Sequence, residues 1–393
     1  MVLQDVHGLV GYDHTTQQLY TLEYPPNSLA TKQKLASTQP KRSETLISPK
    51  SITDRPLGSS PDPIKPASPR KALETLAVFY HVITIYPLLP GLMIATYAIY
   101  NPARVIFPIL LSLILPRSFS RRSDWLRSLP LWRFVASYFP LTLYRTTPLP
   151  TNQKYIFGYH PHGILSHGAF AAFATESLGF STLFPGIESS LLTLDSNFKI
   201  PIYRDYLLLL GMNSVSRASC ENILSTGGAD NHGTGRAITI VIGGAKESLE
   251  AVPGSMRLVL RNRKGFAKLA IRTGASLVPV LAFGENDLYT MTADLDPKTF
   301  AGRAQQTFKR VFGLTVPFLY SKGPYTLDFG VTPHRRPVNI VVGRPIAVRK
   351  MGDPIDGAYL DEVHGRYIEE LERIWYEWKG VFAPRNIEDI EII

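Results

Sequence analysis

The 393-residue chain predicts an α/β protein: a mostly parallel sheet with flanking helices, preceded by a membrane-embedded helical hairpin and a disordered N-terminal tail. Three observations carry that reading. From Lys154 onward, short β-branched runs alternate with helical patterns, as in βα units. Between Thr75 and Ala103 there is no Asp, Glu, Lys or Arg. Ahead of that block, Pro, Ser, Thr, Gln and Lys dominate and no hydrophobic period persists.

Composition narrows the function classes. Hydrophobic residues make up 45 % and charged residues 19 %, which excludes a wholly disordered chain. The apolar residues are mostly scattered, which excludes a many-span transporter. One cysteine, Cys220, excludes an internal disulfide framework and a multi-cysteine zinc site, and suits a reducing compartment. The net charge of +10 suits nucleic acid, anionic lipid or a polyanionic substrate. Composition does not choose among them.

Residues 1–72 read as the tail. Ser48-Pro49, Ser60-Pro61 and Ser68-Pro69 are typical of a disordered segment, and no basic start leads into an apolar core near Met1. Residues 73–116 can hold one kinked span or a two-limbed hairpin, with a buried helical pair of a soluble domain as the alternative, and the hairpin is the expectation. A span needs ~20 apolar residues; Arg104 interrupts the block, and Val105 to Leu115 is apolar again. Pro87-Leu88-Leu89-Pro90-Gly91 sits where such a hairpin turns. Arg70 and Lys71 before it, and Arg117, Arg121 and Arg122 after it, place both ends on the cytosolic side. Residues 117–150 interleave arginines with Trp125, Trp132, Phe134, Tyr138 and Phe139, a mix suited to a membrane–water interface.

Residues 151–393 carry the main domain. Tyr155–Tyr159 reads as a strand entering a loop, and Ala169–Ser177 as a helix. Ala237–Ile242 is a strand ending in Gly243-Gly244. Arg263–Thr273 is a helix stopped by Gly274, and Ser276–Leu281 a buried strand. Val338–Val342 is another strand, and Leu360–Lys379 a final amphipathic helix.

His160-Pro161-His162-Gly163 directly follows the first of these strands. Ligands gather at the carboxyl ends of strands in such sheets, and an imidazole can take a proton from a hydroxyl near neutral pH. Pro161 restricts the backbone between the rings, and Gly163 allows close approach. By itself the pair reads equally as half a zinc site or as structural histidines. Between Glu250 and Glu285 there is no acidic residue, while Arg257, Arg261, Arg263, Lys264, Lys268 and Arg272 stand there. That stretch suits a phosphate-bearing ligand or a solvated helix face. Glu247 and Glu285 lie just after strand ends, where each suits a polar contact to substrate or a salt bridge.

Tyr155 to Ile164, with its His160-Pro161-His162-Gly163 core, resembles the signature of the type-2 diacylglycerol acyltransferases, a family that includes monoacylglycerol and wax-alcohol acyltransferases. Tyr138-Phe139-Pro140, Phe184-Pro185-Gly186-Ile187, Arg204-Asp205-Tyr206 and Val215-Ser216-Arg217 resemble further motifs of that family. So do Gly243-Gly244-Ala245-Lys246-Glu247-Ser248-Leu249, the run from Arg261 to Asn286, and Val342-Gly343-Arg344-Pro345-Ile346. The resemblance covers roughly residues 73–383.

The resemblance implies direct acyl transfer from acyl-CoA to the hydroxyl of diacylglycerol, making triacylglycerol, with no cofactor beyond the co-substrate and no metal. His162 is the expected base and His160 its support. The wider glycerolipid acyltransferases use a His-x4-Asp pair; here His167 follows His162 and Leu165 follows His160 at that spacing, so Glu176 is the candidate orienting carboxylate. Tyr138, Phe139, Pro140, Gly163, Arg217, Gly243, Gly244, Glu247, Arg263, Lys264 and Glu285 are the expected substrate-binding residues, with backbone amides after Gly243-Gly244 as oxyanion donors. Expected partners are acyl-CoA, diacylglycerol and the bilayer, without nucleic acid, and with homo-oligomer formation left open. The implied location is the endoplasmic reticulum membrane, multi-pass, with the histidines facing the cytosol, and association with lipid droplets. The alternatives are a monoacylglycerol or long-chain alcohol acceptor, an inactive membrane lipid-binding protein, a metal-dependent hydrolase using His160, His162 and His167, and Cys220 as an acyl-carrying nucleophile.

Overall fold

The structure, a computed structural model, describes residues 8–14, 16–23, 69–85, 106–107, 109, 122–249, 251–292, 318–320, 333–383 and 387–393. Nine strands form one sheet: β1 (Gly8–Asp13), β2 (Gln18–Glu23), β3 (Leu141–Arg145), β4 (Tyr155–His160), β5 (Glu188–Thr193), β6 (Asn213–Ser214), β7 (Arg236–Val241), β8 (Ser276–Phe283) and β9 (Val338–Val342). Their order is β2-β1-β3-β9-β8-β4-β7-β5-β6. The centre is parallel: β4 pairs in parallel with β7 and β8, and β5 with β7. β9 runs parallel to β3 but antiparallel to β8, and β1 is antiparallel to both its neighbours. β4, β8 and β9 are buried at every position, as expected of strands covered on both faces.

Alternation along β4 sorts the core into two layers. Tyr155, Phe157 and Tyr159 face the layer that holds α1 (Pro69–Ile85), α2 (Pro130–Tyr138) and the turn after the histidines. Ile156 faces the layer of α3 (Arg217–Ser225), α5 (Gly265–Thr273) and α6 (Gly357–Phe382); α4 (Gly244–Leu249) follows β7. The expected helix after Arg263 starts at Gly265 and stops at Gly274, whose φ is +71°. The expected helix over Ala169–Ser177 begins earlier, at His167, and continues as a π-helical turn, Phe170–Ala174. It ends where Thr175 turns extended and its hydroxyl donates back to the Ala171 carbonyl at 2.7 Å.

Three boundaries differ from the sequence reading. Residues 8–23, expected within the disordered tail, form a β-hairpin that extends the sheet, with Leu9 fully buried; residues 24–68 lie outside the described residues. The 117–150 segment, expected as an interfacial strip and described from Arg122, contributes β3 to the sheet and α2 to the core. Trp132, Val135, Ala136 and Phe139 follow helical spacing and fill it, leaving Trp125 exposed. Among the described residues no helix is long and apolar enough to cross a membrane. The first limb of the expected hairpin is the 17-residue α1, which buries Ala77, Val78, His81 and Val82 within the core that α2 shares. The expected turn and most of the second limb lie outside the described residues.

Candidate active site

The parallel strands β4, β7 and β5 end on one edge of the sheet, and the His-Pro-His-Gly loop leaves it from β4. The His160–Pro161 peptide is cis. The two rings then diverge. His160 is fully buried on the α6 side, its Nε2 3.0 Å from the hydroxyl of Tyr367. That hydroxyl donates to the Gly158 carbonyl at 3.0 Å, so Nε2 of His160 carries the proton and Nδ1 is left without a partner. Burial pushes the pKa of His160 down to about 3.

His162 sits in a different environment. Its Nδ1 lies 3.0 Å from the Gly163 carbonyl, 3.2 Å from Ser248 Oγ and 3.5 Å from Ser166 Oγ. Ser248 donates its own proton to the Gly244 carbonyl and Ser166 to the His162 carbonyl. All three oxygens therefore act as acceptors, and the proton belongs on Nδ1. Nε2 is left as the basic nitrogen, with no hydrogen bond among the described residues. Burial lowers the pKa of His162, opposed by the bond to Gly163, so the ring stays neutral below its ordinary value of 6.5.

Two buried glutamates hold this loop. Glu247 Oε1 accepts from the His162 main-chain N–H at 2.6 Å, and Oε2 from Val259 N–H at 2.8 Å. A Cβ on Gly243 would meet Glu247 Oε2 at 2.3 Å, so only glycine lets β7 end against this carboxylate. Glu285 Oε2 accepts from Tyr159 Oη at 2.8 Å and from Gly168 N–H at 3.1 Å, tying β4 to the helical turn after the loop. Gly163, at φ +57°, lies against it: a Cβ there would meet Glu285 Cγ at 2.8 Å. Burial pushes both carboxyls up to about 7, against the hydrogen bonds they accept.

His160, His162, Gly163, Gly243, Gly244, Glu247 and Glu285 thus come together at the end of β4 and β7. Arg263 joins them, its Nη2 3.5 Å from the Gly243 carbonyl. Other expected site residues are elsewhere. Glu176 pairs with Arg127 at 3.1 Å and Arg122 at 3.6 Å, and makes no contact with either histidine of the loop. Glu247, not Glu176, is the carboxylate bonded to the loop. Arg217 pairs with Glu221 at 2.7 Å on α3, and Lys264 with Asp361 at 2.6 Å. Tyr138 donates to the Pro333 carbonyl at 2.6 Å with Arg335 over its ring; Phe139 stacks on His167; Pro140 leads into β3 with φ +23°.

His167 bonds Tyr289 at 2.9 Å in the layer opposite to His160, so His160, His162 and His167 do not converge. Among the described residues no group of three potential metal ligands gathers. Cys220 is buried on α3, its thiol pushed up to about 11 by burial, opposite to what a nucleophile needs. The sequence reading missed Tyr367, Ser166 and Ser248. Ser248 stands in the glycine-rich motif beside Glu247, and that adjacency was its only signal.

The family described as diacylglycerol acyltransferase matches residues 104–392. The chain is 48 % identical to the diacylglycerol O-acyltransferase 1 of Schizosaccharomyces pombe, over 69 % of this chain and 76 % of that one. It is 40 % identical to the Homo sapiens diacylglycerol O-acyltransferase 2 over 70 % of each. It is likewise 40 % identical to the Bos taurus 2-acylglycerol O-acyltransferase 1, over 69 % of this chain and 79 % of that one. No solved structure matches the chain.

Proposed function

The chain belongs to the diacylglycerol acyltransferase family, and on that premise we propose that it moves an acyl group from acyl-CoA to the free hydroxyl of diacylglycerol, making triacylglycerol, with His162 as the base. The observation that carries the base assignment is the set of three oxygens around Nδ1 of His162, which leaves Nε2 as the proton acceptor. Nε2 takes the hydroxyl proton as the oxygen attacks the thioester carbonyl. The C–S bond breaks, and the departing thiolate takes the proton back from the imidazolium. No covalent enzyme intermediate is needed. Backbone amides at Gly243-Gly244 are the proposed donors to the oxyanion. Glu247 holds the loop rather than the ring.

Arg261 and Arg263 are exposed and make no ion pair among the described residues, whereas Lys264 and Arg272 are each committed to an aspartate. These two arginines are the proposed contacts for the phosphates of coenzyme A. The apolar outer face of α1 and the uncharged stretch beyond it anchor the enzyme in the endoplasmic reticulum membrane as a hairpin, with the histidines on the cytosolic side.

A second reading keeps the chemistry and takes a monoacylglycerol, favoured by the 40 % identity to a 2-acylglycerol O-acyltransferase. Microsomes lacking their own triacylglycerol synthesis, expressing wild type or His162→Ala and given labelled oleoyl-CoA, separate these. Ester from diacylglycerol, lost in the variant, supports the proposal. Product mainly from monoacylglycerol or hexadecanol moves the acceptor, and full activity in His162→Ala removes the base assignment.

A further inference from the structure

We propose that the segment 194–202, between β5 and the helix Tyr203–Leu209, is a second bilayer-docking element, inserting beside α1 at the end of the sheet that carries His162. The inference rests on the acyltransferase reading for the identity of the lipid acceptor, and on geometry for the docking.

β5, β7 and β4 are parallel, so the chain leaving β5 emerges on the edge where the histidine loop leaves β4. Phe198, Tyr203 and Tyr206 pack inward against the core. Leu194, Ile200 and Ile202 point outward, Leu194 with 65 % of its surface exposed. Ile202 is held at φ +67°, ψ −48°, a region β-branched residues rarely occupy. Its neighbours fix it there: Arg204 N–H donates to the Ile200 carbonyl and Tyr206 N–H to the Ile202 carbonyl, both at 3.0 Å.

The occupant is identified by what the ridge joins. Tyr206 lies against Tyr80 and Thr84 of α1. On α1, Leu73, Leu76 and Tyr80 form an exposed stripe at helical spacing, flanked by Phe79. That stripe runs into the uncharged block that continues to Ala103. Lys199 and Asp195 are exposed on the ridge itself, 3.7 Å apart, a pair of opposite charges suited to the zwitterionic headgroups of a bilayer surface. An aliphatic ridge with tyrosines and lysine at its rim, continuous with an uncharged block, fits a bilayer surface better than a protein groove. Docked this way, the end of the sheet bearing His162 faces the membrane that holds the acylglycerol.

The test uses the full chain in phosphatidylcholine vesicles. The native thiol, Cys220, is buried, so a single added cysteine at Leu194→Cys or Ile200→Cys takes an environment-sensitive nitrobenzoxadiazole label. Ser225→Cys, exposed where α3 leads back toward the start of β7, is the control. Labels at 194 and 200 are expected to be quenched by lipids brominated in the acyl chain and several-fold less than the control by aqueous iodide. Iodide quenching equal to the control overturns the proposal. Separately, the double variant Leu194→Gln/Ile200→Gln is expected to raise KM several-fold for long-chain diacylglycerol in vesicles and not for dioctanoylglycerol dispersed in detergent. A variant KM for long-chain diacylglycerol equal to that of wild type, or one raised as much for dioctanoylglycerol, overturns the delivery role. Lipid quenching in a protein that makes no ester from any acceptor supports the docking and removes the acyltransferase reading alone.

Discussion

The main-chain N–H of His162 is bound to the buried carboxylate of Glu247, at 2.6 Å. The same carboxylate holds Val259, so one side chain fixes the histidine loop against the segment leading to α5. Glu247→Gln replaces one acceptor oxygen with an amide that faces an N–H donor. A buried donor left without its acceptor costs about 1–3 kcal/mol, so kcat is expected to fall roughly 10- to 100-fold, with little change in KM for either substrate. Steady-state kinetics on the purified variant checks this. A rise in KM with kcat intact would instead make Glu247 a substrate contact.

The two loop histidines are expected to fail differently. His162→Ala removes the proposed base and should lower kcat by about 10²–10⁴ while leaving the unfolding temperature near wild type. His160→Ala empties a fully buried site and leaves Tyr367 without its donor, so it should lower the unfolding temperature. Because burial lowers the pKa of His162, the acid limb of kcat against pH should have its midpoint below 6.5. A midpoint above 6.5, or a stable and inactive His160→Ala, would exchange the two roles.

His81 on α1 is fully buried, and neither ring nitrogen has a hydrogen-bond partner among the described residues. Its ring lies 4.3 Å from Phe170 and 5.2 Å from His167, centroid to centroid. An unsatisfied buried polar group costs about 1–3 kcal/mol. His81→Phe keeps the ring contacts and removes that cost, so it should raise the unfolding temperature by several degrees. Thermal unfolding in detergent decides; a lower temperature would mean that His81 has a hydrogen-bond partner outside the described residues.

Strands β4, β7, β8 and β9 were legible because they are short apolar runs whose period and flanking glycines need no distant partner, whereas β3 and β5, more polar, were not read as strands. The histidine loop was legible because it follows such a strand directly. The β1–β2 hairpin was not. Gly8–Asp13 and Gln18–Glu23 carry only three apolar residues each, too short a pattern to stand out, and they order through pairing with each other and with β3, over a hundred residues on. Arg127 and Trp132 read as interfacial because spacing does not reveal a buried guanidinium whose terminal nitrogens bond the Leu210 and Phe173 carbonyls and Glu176. The same blindness put Glu176 near the histidines. Glu176, next along the chain, pairs with Arg122 and Arg127, while the carboxylate that holds the loop, Glu247, comes from α4, after the neighbouring strand β7. Tyr367 was hidden in a helix where the buried positions one turn to either side, Val363 and Leu371, are ordinary core.

Glu285 makes the stability of the fold depend on pH in a direction unusual for a carboxylate. Burial pushes it up to about 7 from an ordinary 4.5, despite the bonds from Tyr159 and Gly168. Between those values the folded chain keeps a proton that the unfolded chain has lost. The contribution to stability is therefore full below about 4.5 and is lost as pH rises through about 7. Glu247, raised to about 7 by the same cause, adds a second decline over the same window. Glu285→Gln cannot ionise, and its single amide oxygen can accept from both Tyr159 and Gly168. The unfolding temperature of wild type in detergent should fall between pH 5 and pH 8, and the variant should show a shallower fall, by about half if the two glutamates act equally. Tryptophan fluorescence melts across that range measure it. A variant whose slope matches wild type would place the proton elsewhere, and leave Glu285 ionised beside Tyr159.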